Sequence, residues 1–238
     1  MNIKHEIVSR NEWIEARKGL LAQEKEFTRL RDELSERRRQ LPWVRVDERY
    51  VFEGPNGKET LGDLFEGRSQ LVVYHFMFAP DWEEGCKSCS FWADNFNGIV
   101  PHLNHRDVSF AAISRAPVAK LSAFEKRLGW SFKWVSSGAT TFNQNYAVSF
   151  SNDQVASGQF NYNYNADHHA YGAEMPGISV FFKDADGTIF HTYSTYSRGI
   201  DIVNTAYHYL DLVPKGRDEK EPAPMSMSWV RLRDRYDR

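Results

Sequence analysis

This 238-residue chain has two cysteines, and they stand as Cys86-Lys-Ser-Cys89. A thiol exchange catalyst requires one sulfur that ionises near neutral pH and a second close enough to expel the mixed disulfide formed on the first. A two-residue spacing at the start of a helix meets both needs. Unsatisfied backbone N–H groups and the positive end of the helix dipole favour thiolate at the first cysteine, while the second lies one turn inside. Cys86 is therefore the expected nucleophile and Cys89 the expected resolving thiol. Lys87 should favour the thiolate further, whereas Asp81, Glu83 and Glu84 should oppose it.

Other reactive groups compete for attention. Cys86, Cys89, His102 and His105 form C-x2-C-x12-H-x2-H, close to a zinc spacing. The histidine interval is one residue short of the usual range, and the stretch between reads as one helix rather than a finger. His75 lies within an apolar run, where an imidazole either relays protons to the thiols or is hydrogen-bonded in the core. His168 and His169 are adjacent, so an extended chain points them apart, and a loop suits them better than a metal site. Trp82, Phe91 and Trp92 flank the dithiol; Trp82, in the preceding loop, is the one expected to line a substrate groove. Ser114 and Ser179 lack nucleophile-elbow glycines, and no Gly-rich phosphate loop is present.

Composition sets the class. The chain is 41% hydrophobic and 26% charged, as ordinary globular proteins are, and its formal net charge of −2 gives no global pull toward nucleic acid or anionic membrane. The opening residues, MNIKHEIVSR, contain no apolar stretch suited to secretion, and no run is long enough to span a bilayer. A cytoplasmic location follows as the expectation, and in that compartment C-x-x-C is a redox or metal motif more often than a structural staple. An aromatic share of 14% implies either a dense core or a ring-lined cleft.

The elements that must hold the dithiol are legible in outline. Ser9 with Glu12 forms a capping box, and Pro42 stops the helix that begins there. Trp13, Leu20, Phe27, Leu34 and Leu41 recur every seven residues with Ala16 and Leu30 beside them, but Gln23 and Arg37 interrupt that second stripe. Such a helix lies across the domain or against a second subunit, so a homodimer is compatible with it. The pair Tyr50–Glu53 and Thr60–Phe65 around Pro55-Asn-Gly57 reads as a hairpin leading into a helical turn. Leu71–Phe78 is apolar without alternation, as in a strand buried on both faces. A helix from Ser88 to about Ile99, ended by Pro101, should follow the dithiol. A strand at Val108–Ser114 and a helix between Pro117 and Gly129 come next. This order implies a right-handed crossover and a parallel sheet. Ile178–Lys183 and Thr188–Tyr193 add an antiparallel hairpin, and a helix over Asp201–Leu210 ends the domain. The segment 142–171 shows no period and reads as an insertion or long loop. The expected organisation is an N-terminal helical extension (1–43), a domain over 44–213 carrying that insertion, and a C-terminal tail (214–238).

Met175-Pro176 stands just before a late strand, where thioredoxin-like folds place a proline that packs against the dithiol and holds a substrate backbone. The stretch from Leu41 to Gly98 is similar to a bacterial thioredoxin-like family predicted to be dithiol-disulfide oxidoreductases. Further matches are ISRAP, GWSFKWVSS, PGISVFFKDADGTIFHTYSTYSRG and AYHYLDLVPKGRDE. The resemblance extends from about Trp13 to Glu219. It implies a thioredoxin-like α/β fold and thiol-disulfide chemistry, with Pro176 and Met175 as substrate shelf. A protein or small-molecule thiol or disulfide would be the substrate, an external thiol system the reductant, and no bound organic cofactor is implied. The family is related in layout to peroxiredoxins, which makes a thiol peroxidase the alternative, with Arg115 as a cation near the thiolate. Peroxiredoxins carry Pro seven residues and Thr or Ser three residues before their reactive cysteine. The corresponding positions here are Ala79 and Glu83, so the hydroxyl that binds peroxide is missing. A non-catalytic interaction module and a zinc protein are the remaining readings.

Overall fold

A computed structural model describes residues 5–158, 160–165, 172–219 and 226–237. In chain order its elements are α1 (Arg10–Arg39), β1 (Val44–Arg45), β2 (Val51–Gly54), β3 (Gly57–Thr60), β4 (Gln70–His75), α2 (Lys87–Ala93), α3 (Val100–His105), β5 (Val108–Ser114), α4 (Val118–Leu128), β6 (Lys133–Ser136), α5 (Phe142–Asn145), α6 (Asn152–Ser157), β7 (Gly177–Lys183), β8 (Ile189–Tyr196) and α7 (Thr205–Leu210). Short 3-10 turns occupy Asp63–Phe65, Ser197–Val203 and Ser226–Trp229. No described helix is long and apolar enough to cross a membrane.

The strands form one eight-stranded sheet in the order β1-β8-β7-β4-β5-β6-β2-β3. β4, β5 and β6 run parallel, β7 runs antiparallel to β4, and β8 antiparallel to β7. A central β8-β7-β4-β5 order, with α2 and α3 crossing from β4 to β5, is the thioredoxin-like arrangement. β4 sits between two neighbours and is covered above and below, which is why its sequence does not alternate. Leu71 and Val73 face one core with Phe52, Phe65, Phe142 and Phe181; Tyr74 and the following Phe76 face the other with Trp92, Phe124 and Trp134. The aromatic excess therefore packs the cores, as in the T-shaped pair of Tyr74 and Phe96 at 5.0 Å between centroids.

Several sequence expectations need correction. The single helix expected over 88–99 is two: α2 stops at Ala93, where the Asn95 side chain donates to the carbonyls of Phe91 and Trp92, and Pro101 opens α3 instead of ending α2. Proline is tolerated there because it lacks an N–H, and N–H groups of the first turn have no acceptor within the helix in any case. β6 was not foreseen, although Trp130, Phe132 and Trp134 alternate as strand residues do. The helix expected over 201–210 breaks at Asn204, whose side chain accepts from Tyr207 N–H and starts α7 afresh. Within 142–171, the described part is no structureless loop. It forms α5 and α6, the latter with a Ser151–Gln154 capping box, around a small core of Val148, Phe150, Phe160, Tyr162, Met175 and Tyr196.

α1 begins with the expected Ser9–Glu12 capping box. None of its residues is buried. Its last turn meets the sheet where the Arg38 guanidinium lies 5.7 Å from the Tyr193 ring centroid, and beyond it Trp43 packs on Phe182 and Phe190. The expected C-terminal tail also has a definite place: Met227, Trp229 and Leu232 pack on the core beneath α2.

Candidate active site

The chain leaves the sheet at the carboxyl end of β4, where ligands and reactive groups of α/β proteins gather. Pairing with the neighbouring strand persists past β4, since Phe76 N–H donates to Ile113 O and Ala116 N–H to Phe78 O. The loop Ala79–Gly85 then turns back. Lys120 on α4 fastens it by donating to the carbonyls of Pro80 at 3.0 Å and Trp82 at 2.8 Å. Cys86 ends the loop as the N-cap of α2.

Met77 brackets the dithiol from the sheet. Its carbonyl accepts from Cys86 N–H at 3.0 Å, and its N–H points at Cys89 Sγ at 3.4 Å. The Cys89 N–H in turn donates to Cys86 Sγ at 3.5 Å. Both thiols are free; Cys86 is partly exposed, whereas Cys89 is only 2% exposed. The Cys86 thiol is lowered to about 7, chiefly because the Cys89 S–H donates to it; backbone N–H groups of Cys89 and Ser88 and the Ser88 hydroxyl assist, and burial works against them. Burial pushes the Cys89 thiol well up, and the neighbouring Cys86 sulfur adds to that shift. The partly exposed sulfur is thus the easier of the two to ionise, while the buried one holds its proton inside the helix. The charges named from sequence have other partners. Lys87 Nζ donates to the Ser228 carbonyl at 3.2 Å, and Glu84 pairs with Arg127 and Arg235. Local donors on a seven-residue helix, more than a distant dipole or lysine, hold the thiolate.

Gly85 is a site residue that the motif alone did not single out. A Cβ there would lie 2.7 Å from Phe76 Cε1 and 2.9 Å from Phe124 Cε1, so only glycine lets the backbone lie against the core one residue before Cys86. The Gly85→Ala variant is expected to lose about 1–3 kcal/mol of stability by overpacking. Urea unfolding checks this, and an unchanged midpoint would show that the loop has more room than its contacts indicate.

The other candidates fall at different distances from the thiols. Trp82 is half-buried and packs on the same core as Cys86 and Cys89. In the β4–β7 register His75 faces Gly177, so one further step sets Pro176 beside Phe76 at the end of the sheet where the dithiol loop departs. Its carbonyl accepts from Tyr162 Oη at 2.7 Å. The Met175 side chain is buried in the small core of the 147–165 segment, so only its backbone is left to offer a substrate. Arg115 has a partner other than the thiolate. Its Nε donates to Glu174 Oε1 at 2.6 Å, while Ser149 Oγ donates to Glu174 Oε2 at 2.6 Å. Glu174, 2% exposed, is a buried carboxylate that the sequence did not flag; burial raises its carboxyl above the usual range, and Arg115 and Ser149 counter that.

His75 is not placed to serve the thiols. It follows Tyr74 on β4 and therefore faces the opposite side of the sheet, where its Nε2 meets Ser179 Oγ at 2.8 Å and burial lowers its pKa to about 3. His102 and His105 are exposed on α3. Among the described residues no group of three or more His, Cys, Asp or Glu side chains is placed to hold a metal, so the two cysteines and these two histidines do not come together as a site. His168 and His169 lie outside the described residues.

The segment 226–237 lies along α2. Trp229 makes a T-shaped contact with Phe91 at 5.5 Å, Asp234 pairs with Arg127, and Arg233 with Asp94. It therefore forms part of the wall beside the dithiol.

Comparison with known proteins gives a family and some distant structures. A family model described as "Bacterial protein of unknown function (DUF899)" matches residues 2–236. No curated protein matches the chain. It is similar to the crystal structure of peroxidoxin BcpB from Mycobacterium tuberculosis, at 16% identity and a TM-score of 0.46, over 69% of this chain and 94% of the other. It is also similar to a putative thiol:disulfide interchange protein DsbE from Chlorobium tepidum, at 12% identity and a TM-score of 0.44, over 71% of this chain and 94% of the other. At these scores neither assigns an activity to the chain.

Proposed function

As the chain belongs to a family of bacterial proteins of unknown function, DUF899, we propose from its own side chains that it is a thiol-disulfide oxidoreductase working through Cys86 and Cys89. The observation that carries this reading is the division of labour at the start of α2, with a partly exposed Cys86 thiol lowered to about 7 and a buried Cys89 thiol raised.

In the reducing direction the Cys86 thiolate attacks one sulfur of a substrate disulfide. The S–S bond breaks, a mixed disulfide forms on Cys86, and the other half leaves as thiolate. The Cys86 sulfur, now part of a disulfide, no longer holds the Cys89 S–H, whose proton passes to the departing thiolate. The Cys89 sulfur then attacks Cys86, forming the intramolecular disulfide and releasing the second substrate thiol. Two electrons have passed to the substrate, and an external dithiol restores the starting state. The opposite direction uses the same steps in reverse. Pro176 and the Met175 backbone serve as the shelf for the substrate chain and Trp82 as its wall, while Arg115, held by Glu174, positions the strand ends around them. A reducing cytoplasm suits a dithiol that cycles with an external thiol system.

Alkylation of the reduced protein tests this. One thiol should react rapidly with a rate that is half-maximal near pH 7, as set by Cys86, against about 8.5 for free cysteine; the second should react only after unfolding. Two slow thiols, or an inflection at the free-cysteine value, would leave a non-catalytic module as the better account. Turnover of peroxides in preference to disulfides would favour the peroxidase, despite Glu83 at the position where a hydroxyl is required.

A further inference from the structure

α1 carries a face that its own chain leaves uncovered. Trp13, Leu20, Phe27, Leu34 and Leu41, with Leu30 beside them, are between 44% and 67% exposed, and α1 has no buried residue. Thirty residues make a rod about 45 Å long, and an apolar stripe of that length on a lone helix is a surface in need of a partner. The flanking charges say which. With Trp13 set as heptad position a, the g positions are Glu12, Gly19, Glu26 and Glu33, and the e positions are Arg17, Glu24, Arg31 and Arg38. In a parallel pair each g residue meets the e residue five places further along the other helix. Glu12 then faces Arg17, Glu26 faces Arg31 and Glu33 faces Arg38, so three of the four pairs are of opposite sign, and the fourth, Gly19 with Glu24, sets no like charges together. In an antiparallel pair g meets g and e meets e, which sets acidic against acidic and chiefly basic against basic. An anionic membrane would instead favour basic residues along both flanks, and here one flank is acidic.

We propose that α1 forms a parallel, in-register two-stranded coiled coil with α1 of a second copy of this chain. The occupant of the exposed stripe is then its own symmetry mate. Among the described residues the one ring contact the body makes with α1 is that of Tyr193 with Arg38, near the helix end, and the a residues stay exposed for a mate. Ala16 and Gln23 at d positions make the seam narrow, and Arg37 closes it near the body, so the association depends on the large a residues and on the e and g charges.

Sedimentation equilibrium of the full chain should give twice the monomer mass. The Glu26→Lys/Glu33→Lys variant reverses two interhelical pairs on each side and should raise the dimer dissociation constant by on the order of tenfold or more. These glutamates also pair with Arg29 within the helix, so circular dichroism must show that α1 persists. Leu20→Glu/Phe27→Glu offers an independent variant, which should be monomeric with an unchanged unfolding transition for the body. Orientation is read from Ala16→Cys in a Cys86→Ser/Cys89→Ser background, where only a parallel, in-register pair brings the two d-position thiols together for oxidation to a linked dimer. A monomer at all concentrations would overturn the proposal. So would a dimer indifferent to the charge reversal, a dimer that fails to cross-link at position 16, or a monomer that binds vesicles through the stripe.

Discussion

Replacing Cys86 with serine should abolish disulfide turnover, by about a thousandfold or more, while leaving the fold intact. The hydroxyl that replaces the thiol does not ionise near neutral pH, so the donors that lower Cys86 to about 7 find no anion to stabilise. The expected result for Cys89→Ser differs in kind. That variant keeps the nucleophile and loses the resolving sulfur, so it should form the mixed disulfide once and stop. A stable covalent adduct with a disulfide reagent, one per chain and absent in Cys86→Ser, is the readout by mass spectrometry. Cys89→Ala, which removes the S–H donor that contributes most to lowering Cys86, should shift the Cys86 ionisation upward. Undiminished turnover in Cys86→Ser would sink the mechanism, and an adduct on Cys89 would reverse the roles. The effect should be confined to chemistry, since Cys86 is the N-cap and serine is an accepted residue there.

Arg115→Met should destabilise the protein by about 3 kcal/mol at neutral pH, because it strands the Glu174 carboxylate without its cation. Glu174 sits 2% exposed between Arg115 and Ser149, next to the strand that carries Pro176. Its folded pKa is already above the ordinary glutamate value through burial, so the folded chain holds this proton to higher pH than the unfolded chain does. Stability contributed by this group is therefore fully present below the unfolded value and is lost as pH rises through the interval up to the folded one. Removing the guanidinium takes away an attraction that lowers the folded pKa, so the interval widens and the loss continues further upward. The variant should be close to wild type at about pH 3, well below the ordinary glutamate value, where Glu174 is protonated both folded and unfolded, and furthest from it above neutrality. Urea midpoints at the two pH values decide the matter. An equal loss at both would mean that Arg115 acts through packing alone, and a paired Arg115→Met/Glu174→Gln variant should recover most of the neutral-pH loss by removing the charge.

Much of the scaffold was readable from local pattern. The uninterrupted apolar run of β4, the amphipathic α4 between Pro117 and Gly129, and the Asp184–Gly187 turn between β7 and β8 each follow from residues a few positions apart. Gly129 adopts φ 62°, the left-handed cap for which glycine is suited. The C-x-x-C motif and the Met175-Pro176 step were likewise visible as candidates. What failed were elements decided by distant partners. α2 ends early because Asn95 folds back on it, and the described part of the 142–171 segment packs around Tyr196 and Met175, which come later in the chain. His75 was open to two readings, a relay for the thiols or a hydrogen-bonded core residue, and the structure gives it the second, beside Ser179 on the far face of the sheet.

By itself the sequence determined which atoms can do chemistry and, for β4, α4 and the β7–β8 hairpin, where the chain must be strand or helix, because spacing along a backbone of fixed geometry settles both. The tertiary structure alone decided which charges act where. It assigned Arg115 to a buried Glu174, Lys87 to a carbonyl of the C-terminal segment, and the role of thiolate donor to Cys89 itself. Electrostatic influence falls off over a few ångströms and depends on burial, and neither separation in space nor exclusion of water is written in the order of residues.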